Sequence, residues 1–527
     1  MKETEKFLAP FILALLFLSF LSLYMIVRFI ALFAPGYTTI DFILAILLFL
    51  GEVFIVYNIL GFVLNFMKSV LKYRETEKFF IPALRPMVSI AIASYNEEPS
   101  VLEETILTVV NLDYEPKEIF LLDDSTKKEL REAAEKLAEK YGVKYVHRTH
   151  RRGFKAGALN DALPLMRGEY LVVFDADQRP SPNYLRLLIP LMEADEKIAF
   201  IQTPQYYANL EASLVAKTAA YQQSIFYTYI SEGKSVKNAM FSCGTNCIYR
   251  IKALREVGGF DETTVTEDIA TSLELHRRGY RSLYYNRVYV TGEGPTLLSS
   301  YFIQQFRWAY GVLTVLGRTL KYLFTSPRSL SKWQWWEYLL SGSWYLVGFA
   351  HLFLLLPPIF FLLFRVRPLI LDPVAYALTF VPYFIFSILF FIAAINAKGG
   401  GGKWAWFSQF LLLVTFPVYI FAFFSAVARR KIMFQVTPKR GGRKVPLKSL
   451  SPHILLMFLF LVSIFVGVSE LLETLDYAVL VNVIWALFFL FGLSTVFIFN
   501  REGKEMYHDR YLFERFELWN HMDGKLN

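Results

Sequence analysis

The stretch Leu171-Val172-Val173-Phe174-Asp175-Ala176-Asp177 decides the fold, because a continuous apolar run closes there on two carboxylates one residue apart. A short apolar run bounded by polar residues is the mark of a strand buried on both faces. The same cadence occurs twice upstream. Residues 88–93 lead into Ser94-Tyr95-Asn96-Glu97, after which Ser100-x-x-Glu103 reads as a capping box for a helix continuing through Val109. Residues 119–122 lead into Asp123-Asp124 and a helical stretch over 127–140. Strand, loop and helix in alternation predict an α/β domain with a mostly parallel sheet and helices on both faces. Its ligands should bind outside the carboxyl ends of the strands, where all three acidic motifs fall.

The flanking sequence is of another kind. The 527 residues are 55% hydrophobic, 17% aromatic and 19% charged, with mean hydropathy +0.36. That is too apolar for an ordinary soluble enzyme and too charged for a membrane bundle alone. Apolar stretches of spanning length occupy 8–33, 42–67, 339–364, 374–395, 404–427, 454–472 and 477–499. The first is too long for a signal-peptide core and lacks a small-residue cleavage pattern, so it reads as an uncleaved helix. The turn over 34–41 has no Lys or Arg, whereas Lys68, Lys72 and Arg74 follow the second stretch. The positive-inside rule then sets the turn outside and the α/β domain in the cytoplasm.

Sidedness also tests each later stretch. If 404–427 crossed, then Arg429, Arg430, Lys431, Lys439, Arg440, Arg443, Lys444 and Lys448 would lie outside, against the rule. It therefore reads as an interfacial or re-entrant helix, leaving about six spans and both termini cytoplasmic. Arg365 and Arg367 fall on the outer side in this scheme. Basic clusters beside spans account for the net charge of +9, so the expected partner is a lipid bilayer and not nucleic acid. Cys243 and Cys247, with no nearby His, read as two small packed residues. The predicted organisation is two membrane helices in 1–75, the α/β domain in 76–290 and interfacial amphipathic helices in 291–337. Two membrane helices follow in 338–396, an interfacial helix and loop in 397–450, two more membrane helices in 451–500 and a short tail in 501–527.

Asp175 and Asp177, on one extended loop end, can present oxygens to a hard cation such as Mg²⁺ or Mn²⁺ bridging two phosphates. A polar turn after a strand gives the same pattern. Asp123-Asp124 suits contact with a nucleoside or ribose, or is a solvated strand end. Asp268, in Thr266-Glu267-Asp268, precedes a helical run over 269–278 that ends at Gly279. It is placed either to take a proton or to make a favourable contact with the helix dipole. Gln304, Arg307 and Trp308 share an amphipathic helix, where Arg can grip a phosphate and Trp can stack a sugar, or both can anchor a membrane surface.

Together these residues resemble the processive family 2 glycosyltransferases, above all the bacterial cellulose synthase catalytic subunits. The shared elements, in order, are Ser94-Tyr95-Asn96-Glu97, Asp123-Asp124, Lys155-Ala156-Gly157, Asp175-Ala176-Asp177, Gln202-Thr203-Pro204 and Phe241-Ser242-Cys243-Gly244-Thr245. Thr266-Glu267-Asp268, the Gln-x-x-Arg-Trp at 304–308 and Phe434-x-Val436-Thr437-x-Lys439 complete the series. The resemblance implies a GT-A-type glycosyltransferase domain inserted into an α-helical transmembrane bundle. It implies that Tyr95, Glu97, Asp123 and Asp124 hold the nucleoside, Lys155 the diphosphate region, and Asp175 with Asp177 the metal, Mg²⁺ or Mn²⁺. Asp268 would be the general base, Glu267 would shape its pocket, and Gln304 and Arg307 would stabilise the leaving diphosphate. Trp308, Thr203, Cys243, Gly244 and Thr245 would meet the acceptor, and Phe434, Val436, Thr437 and Lys439 would form a gating loop over the nucleotide.

The implied partners are a nucleotide-sugar donor, with UDP-glucose favoured, and a growing polysaccharide; the sequence names no secretion subunit. Chitin- or hyaluronan-type synthases using UDP-N-acetylglucosamine and mannan synthases using GDP-mannose share most of the pattern. A single-addition polyprenyl-phosphate transferase ordinarily lacks Gln-x-x-Arg-Trp and the gating loop, and a non-catalytic membrane scaffold need not keep the carboxylates. Two departures stand out. Residues 501–527 are too short for the family's cyclic-diguanylate-binding barrel, and only two spans precede the α/β domain. Control by that nucleotide through this subunit is not expected.

Overall fold

The computed structural model describes residues 2–72, 85–398, 402–430 and 443–501. Ten strands appear in chain order: β1 (Val88–Ser94), β2 (Lys117–Asp123), β3 (Lys144–His147), β4 (Tyr170–Asp175), β5 (Arg179–Pro180), β6 (Ile198–Gln202), β7 (Tyr206–Tyr207), β8 (Cys247–Arg250), β9 (Arg281–Tyr284) and β10 (Val290–Gly292). The main sheet has seven strands in the order β3-β2-β1-β4-β8-β6-β9. β1 runs parallel to β2 and β4, β2 to β3, and β6 to β9, while β8 lies antiparallel to both β4 and β6. The expected mostly parallel sheet is thus present, with one reversed strand inside it.

Alternation along the strands covers both faces. Ile90, Ile92, Val172 and Phe174 pack against Leu102 and Ile106 of helix Pro99–Val110 and Leu188 of helix Tyr184–Glu193. Ala91, Leu171 and Val173 face the other way, onto Leu159 of helix Phe154–Ala162 and Leu254 of helix Ile251–Glu256. At roughly 25 cal/mol per Å² of apolar surface, these buried aliphatic faces dominate the stability of the domain. One local expectation is corrected. Helix Pro99–Val110 is capped by Glu98 without a side-chain bond, Pro99 takes the first helical turn, and no Ser100 capping box forms. Glu103 instead binds Lys140 Nζ at 2.7 Å and Tyr141 Oη at 2.6 Å, tying two helices together.

Among the described residues, six helices are long and apolar enough to cross a membrane: Phe7–Ala31, Thr39–Val70, Lys332–Phe364, Pro373–Ala397, Leu447–Thr474 and Tyr477–Phe499. The third reaches back to Lys332 because Ser331 and Gln334 form a capping box there. The stretch read as interfacial or re-entrant is two helices, Trp404–Val414 and Phe416–Val427, bent by 51°. Arg365 and Arg367, the basic residues expected on the outer side, are held at one end of the bundle. Arg367 donates from its backbone N to Asp41 Oδ1 at 2.6 Å and from Nη2 to Gly36 O at 3.0 Å, and Arg365 pairs with Glu470. The turns that charge assigned to the outside therefore meet at the same end.

At the opposite end the α/β domain docks directly on the spans. Gly233 lies so close to Asn65 that an added Cβ would stand 2.3 Å from its backbone oxygen. Glu337, fully buried, accepts bonds from Asn65 Nδ2 and Lys68 Nζ, each at 3.1 Å. Lys398 pairs with Glu232. Sheet and membrane bundle are joined through close packing and ion pairs as well as through the chain.

Candidate active site

Strand register gathers the motifs. Ser94 pairs with Asp123 and Ala93 with Asp175, so Tyr95, Asp124 and the Asp175-Ala176-Asp177 turn leave one edge of the sheet together. Asn96, at φ 51°, ties the first two loops by accepting from the backbone N of Thr126 and Lys127 at 2.9 and 3.1 Å. The reversed strand supplies the remaining loop. β8 starts at Cys247 beside Val173 and Gln202, and so delivers Phe241-Ser242-Cys243-Gly244-Thr245 to the end of β4.

Around that loop the charged groups converge. Lys155 Nζ reaches Asp175 Oδ1 and, at 2.7 Å, the carbonyl oxygen of Gly244. Gly244, at φ 81°, backs onto the carboxylates: a Cβ there would stand 3.2 Å from Asp268 Oδ2 and 3.6 Å from Glu267 Oε1. Asp268 lies in the first turn of helix Glu267–Arg277, and its Oδ1 accepts from the backbone N of Ile269 at 2.8 Å. Burial, and next the neighbouring Glu267 charge, push the Asp268 carboxyl up to about 8. Burial raises Glu267 as well, against the pull of Lys155. Burial works against the Lys155 cation, but Asp175, Glu267 and Asp268 outweigh it and hold the ammonium above its ordinary range.

Helix Leu298–Thr325 brings the Gln-x-x-Arg-Trp motif to this cluster. Gln304, Arg307, Trp308 and Gly311 share one face by their spacing. Gly311 sits against Thr266, where a Cβ would lie 2.4 Å from Thr266 Cγ2, so this helix packs on the Thr266-Glu267-Asp268 segment itself. Gln304 is buried, and Arg307 and Trp308 are half-buried. Burial lowers the Arg307 guanidinium, while Asp175, Glu267 and Asp268 pull it back towards its charged form.

The expected nucleoside residues take up places with partners of their own. Asp123 accepts from Ser125 N at 3.1 Å, from Ser125 Oγ at 2.6 Å and from Tyr145 Oη at 3.1 Å. Asp124 is gripped bidentately by Arg148, Nε to Oδ1 and Nη2 to Oδ2, both at 2.7 Å. Tyr95 and Glu97 are half-buried on the neighbouring loop. Two of the residues expected at the acceptor lie beneath the loop. Thr203 is fully buried and donates to Asn246 O at 3.1 Å, and Thr245 is buried, accepting from the backbone N of Asp175 at 2.9 Å. Both hydroxyls brace the loop from beneath, whereas Cys243 and Gly244 stay part-exposed. Cys243 and Cys247 are free thiols, the first part-exposed and the second buried. Phe434, Val436, Thr437 and Lys439 lie outside the described residues.

Among the described residues no three His, Cys, Asp or Glu side chains converge as a complete metal cage. Asp177 is buried, with Oδ2 accepting from the backbone N of Glu293 at 3.2 Å, and the Asp175 side chain is 44% exposed. A pair of carboxylates one residue apart fits Mg²⁺ or Mn²⁺, which are commonly held by one or two carboxylates together with substrate phosphates.

Sequence reading passed over Arg148 and Arg151. The signal was the basic run His147-Arg148-Thr149-His150-Arg151-Arg152 just before Lys155. Arg148 also explains the glycine of Lys155-Ala156-Gly157, since a Cβ on Gly157 would lie 2.1 Å from Arg152 O and 2.5 Å from Arg148 Nη1. Gly157→Ala is therefore expected to destabilise the protein by about 1–3 kcal/mol and to loosen the Arg148 grip on Asp124. A lower melting temperature together with weaker nucleotide binding checks it.

Residues 85–311, which hold this cluster, match the model of the glycosyltransferase like family 2, and helices long and apolar enough to cross a membrane flank them. The chain is similar to the cellulose synthase 1 catalytic subunit of Komagataeibacter xylinus, with 27% identity over 443 residues, covering 80% of this chain and 57% of that protein. It is 33% identical over 251 residues to the cellulose synthase catalytic subunit of Pseudomonas fluorescens, covering 45% of this chain and 33% of that one. The chain thus spans little more than half of the first relative and a third of the second. A solved mannosyltransferase of Pyrobaculum calidifontis aligns with 73% of this chain and 100% of its own at TM-score 0.46 and 17% identity.

Proposed function

We propose that this chain is a membrane-embedded, processive, inverting glycosyltransferase that polymerises a β-linked glycan, foremost β-glucan from UDP-glucose, and passes it across the membrane. The observation that carries the reading is the Gly244 loop. It sets the Asp268 carboxylate opposite the Lys155 and Arg307 cations, on a helix-linked edge that leads into the spans. Deprotonated Asp268 takes the proton of the acceptor hydroxyl as that oxygen forms its bond to the anomeric carbon. The bond from that carbon to the diphosphate oxygen breaks, and the electron pair leaves with the diphosphate, whose charge Arg307 and Lys155 face. Attack opposite the leaving group inverts an α-linked donor to a β-linked product, and no covalent enzyme intermediate is needed. Mg²⁺ or Mn²⁺ on Asp175 and Asp177 would supply further neutralisation of the diphosphate. Trp308 stacks the acceptor sugar.

A cavity of about 360 Å³ lies between the spans, and none of the site residues described above lines it. Trp406, Trp485, Tyr376, Tyr383, Gln409 and Asn482 are among its walls. Aromatic faces beside amide groups match the apolar faces and hydroxyl rims of sugar rings. The catalytic domain and both termini are assigned to the cytoplasm, as the distribution of basic residues requires.

The test is nucleoside diphosphate release by the detergent-solubilised full chain with Mn²⁺, offering UDP-glucose, UDP-N-acetylglucosamine and GDP-mannose separately. The expected outcome is UDP release from UDP-glucose, a polymer digested by β-glucanase, and loss of both on chelation of the metal. Turnover of another donor alone would overturn the glucan assignment, and turnover of none would overturn the enzymatic reading.

A further inference from the structure

Lys234, on the short helix Glu232–Val236, is 2% exposed, and among the described residues its Nζ has one hydrogen-bond acceptor, Ser341 Oγ on the third span. Aromatic rings take up other sides of the ammonium. Nζ stands 4.6 Å from the centroid of the Phe241 ring and 5.8 Å from that of Phe226. Glu337 draws on the cation, but that carboxylate already accepts from Asn65 and Lys68, so two buried cations share one anion. Lys68 and the Cys243 thiol are the other titratable groups that act on it. Burial prevails and lowers the ammonium from 10.5 to about 8. A buried cation without a carboxylate of its own costs stability, and proteins keep such groups at positions that function requires.

The position is a junction. Phe241 opens the Phe241-Ser242-Cys243-Gly244-Thr245 loop and packs in one cluster with Leu273 of the Asp268 helix, Val315 of the Gln-x-x-Arg-Trp helix and Tyr338 of the third span. The next residue continues the linkage to the base: Ser242 N donates to Ser272 Oγ at 2.9 Å, and Ser272 Oγ donates to Asp268 O at 2.7 Å. Ser341 belongs to the membrane bundle, and its hydroxyl donates to Glu337 O at 2.7 Å while receiving Lys234. We propose that Lys234 is a positioning residue that locks the acceptor loop to the third span, holding the growing chain in line between Asp268 and the spans and so setting how many sugars are added before release. This rests on the reading above of a processive transferase whose acceptor meets Cys243 and Gly244. An apolar stem of the same length would fill the space, but only the ammonium grips the serine of one body and the ring of the other.

The experiment compares wild type, Lys234→Met, Ser341→Ala and the double variant of the full chain in detergent with Mn²⁺. Nucleoside diphosphate release from the donor that wild type turns over is normalised to nucleotide-binding sites counted by calorimetry. Product length is read by size-exclusion chromatography in a solvent that dissolves the glycan. Lys234→Met should melt no lower than wild type, because a side chain of similar volume replaces a buried charge. Its advantage should be largest below pH 8 and shrink towards pH 10.5, since unfolded wild type keeps its proton up to the higher value and the folded protein only to the lower. Its kcat per site is expected to fall about tenfold to a hundredfold, the scale of a small misplacement of reacting groups, with shorter products and donor KM kept within about twofold. Ser341→Ala should show part of this loss, and the double variant no more than Lys234→Met alone, because both act through one contact. A merely structural lysine would move the melting temperature but neither kcat per site nor product length. Wild-type length and rate in Lys234→Met, or losses that simply add in the double variant, would overturn the proposal while wild-type turnover still upholds the glycosyltransferase reading. If Lys234→Met does not fold, wild-type length and rate in Ser341→Ala would overturn it. Wild type that makes no polymer would overturn the processive reading itself.

Discussion

Asp268→Asn is expected to lower kcat by about 10³-fold, with donor affinity largely kept, because a positioned general base contributes about 10²–10⁴ and an amide cannot accept the acceptor's proton. Its environment makes the prediction specific. Burial, then the Glu267 charge, raise the carboxyl from 3.8 to about 8. The base works in its deprotonated form, so wild-type kcat/KM should climb as pH rises through about 8 and fall below it. The residual rate of Asp268→Asn should lack that limb. Linkage gives an independent check. A carboxyl with a folded value above its unfolded one favours the folded state at low pH and loses that contribution as pH rises through the folded value. Asp268→Asn should therefore melt no lower than wild type at pH 9 while being almost inactive. Retention of more than a tenth of kcat would remove Asp268 from the role of base.

Arg307→Ala is expected to cost about 10²–10³ in kcat, the range for removing one preorganised group that stabilises developing charge. Arg307 faces Asp175, Glu267 and Asp268, the same carboxylates that Lys155 faces. Asp268 is among the charges that act on Arg307, so removing the cation should raise the Asp268 carboxyl further and move the acidic limb of the pH profile to higher pH. Arg307→Lys restores charge but not a fork matched to phosphate, and should recover only a minor part of the rate. Stopped assays of nucleotide release across pH 6–10, on all three proteins, check both effects. An Arg307→Ala variant with wild-type kcat and an unmoved limb would place the leaving-group charge elsewhere.

Much of this site was legible in the residues. The runs ending at Ser94, Asp123 and Asp175 are unambiguous as buried strands because their apolar residues face helices on both sides, and parallel strands put their carboxyl ends on one edge. The bend of 51° at Thr415 was not legible: the basic residues beyond it oppose a crossing but say nothing of the helix's shape. Other features were not legible. β8 is only Cys247–Arg250, too short to announce its direction, yet its reversal is what carries Gly244 to Asp268. The fates of Thr203 and Thr245 followed the same way: motif position suggests a ligand, while burial beneath the loop gives each a backbone partner instead.

The sequence by itself determined the alternation of strands and helices, the apolar lengths that can span a bilayer, and the carboxylates and basic residues available for chemistry, because these depend on local periodicity and residue type. Only the tertiary structure decided which charges meet. Arg148 is separated from Asp124, Arg151 from Tyr95, and Lys155 from Gly244 by intervening strands or helices, and Gly311 reaches Thr266 across a helix and two strands. Such pairings are set by strand order, register and the close approach that glycine permits, and those are properties of packing between distant segments rather than of any one of them.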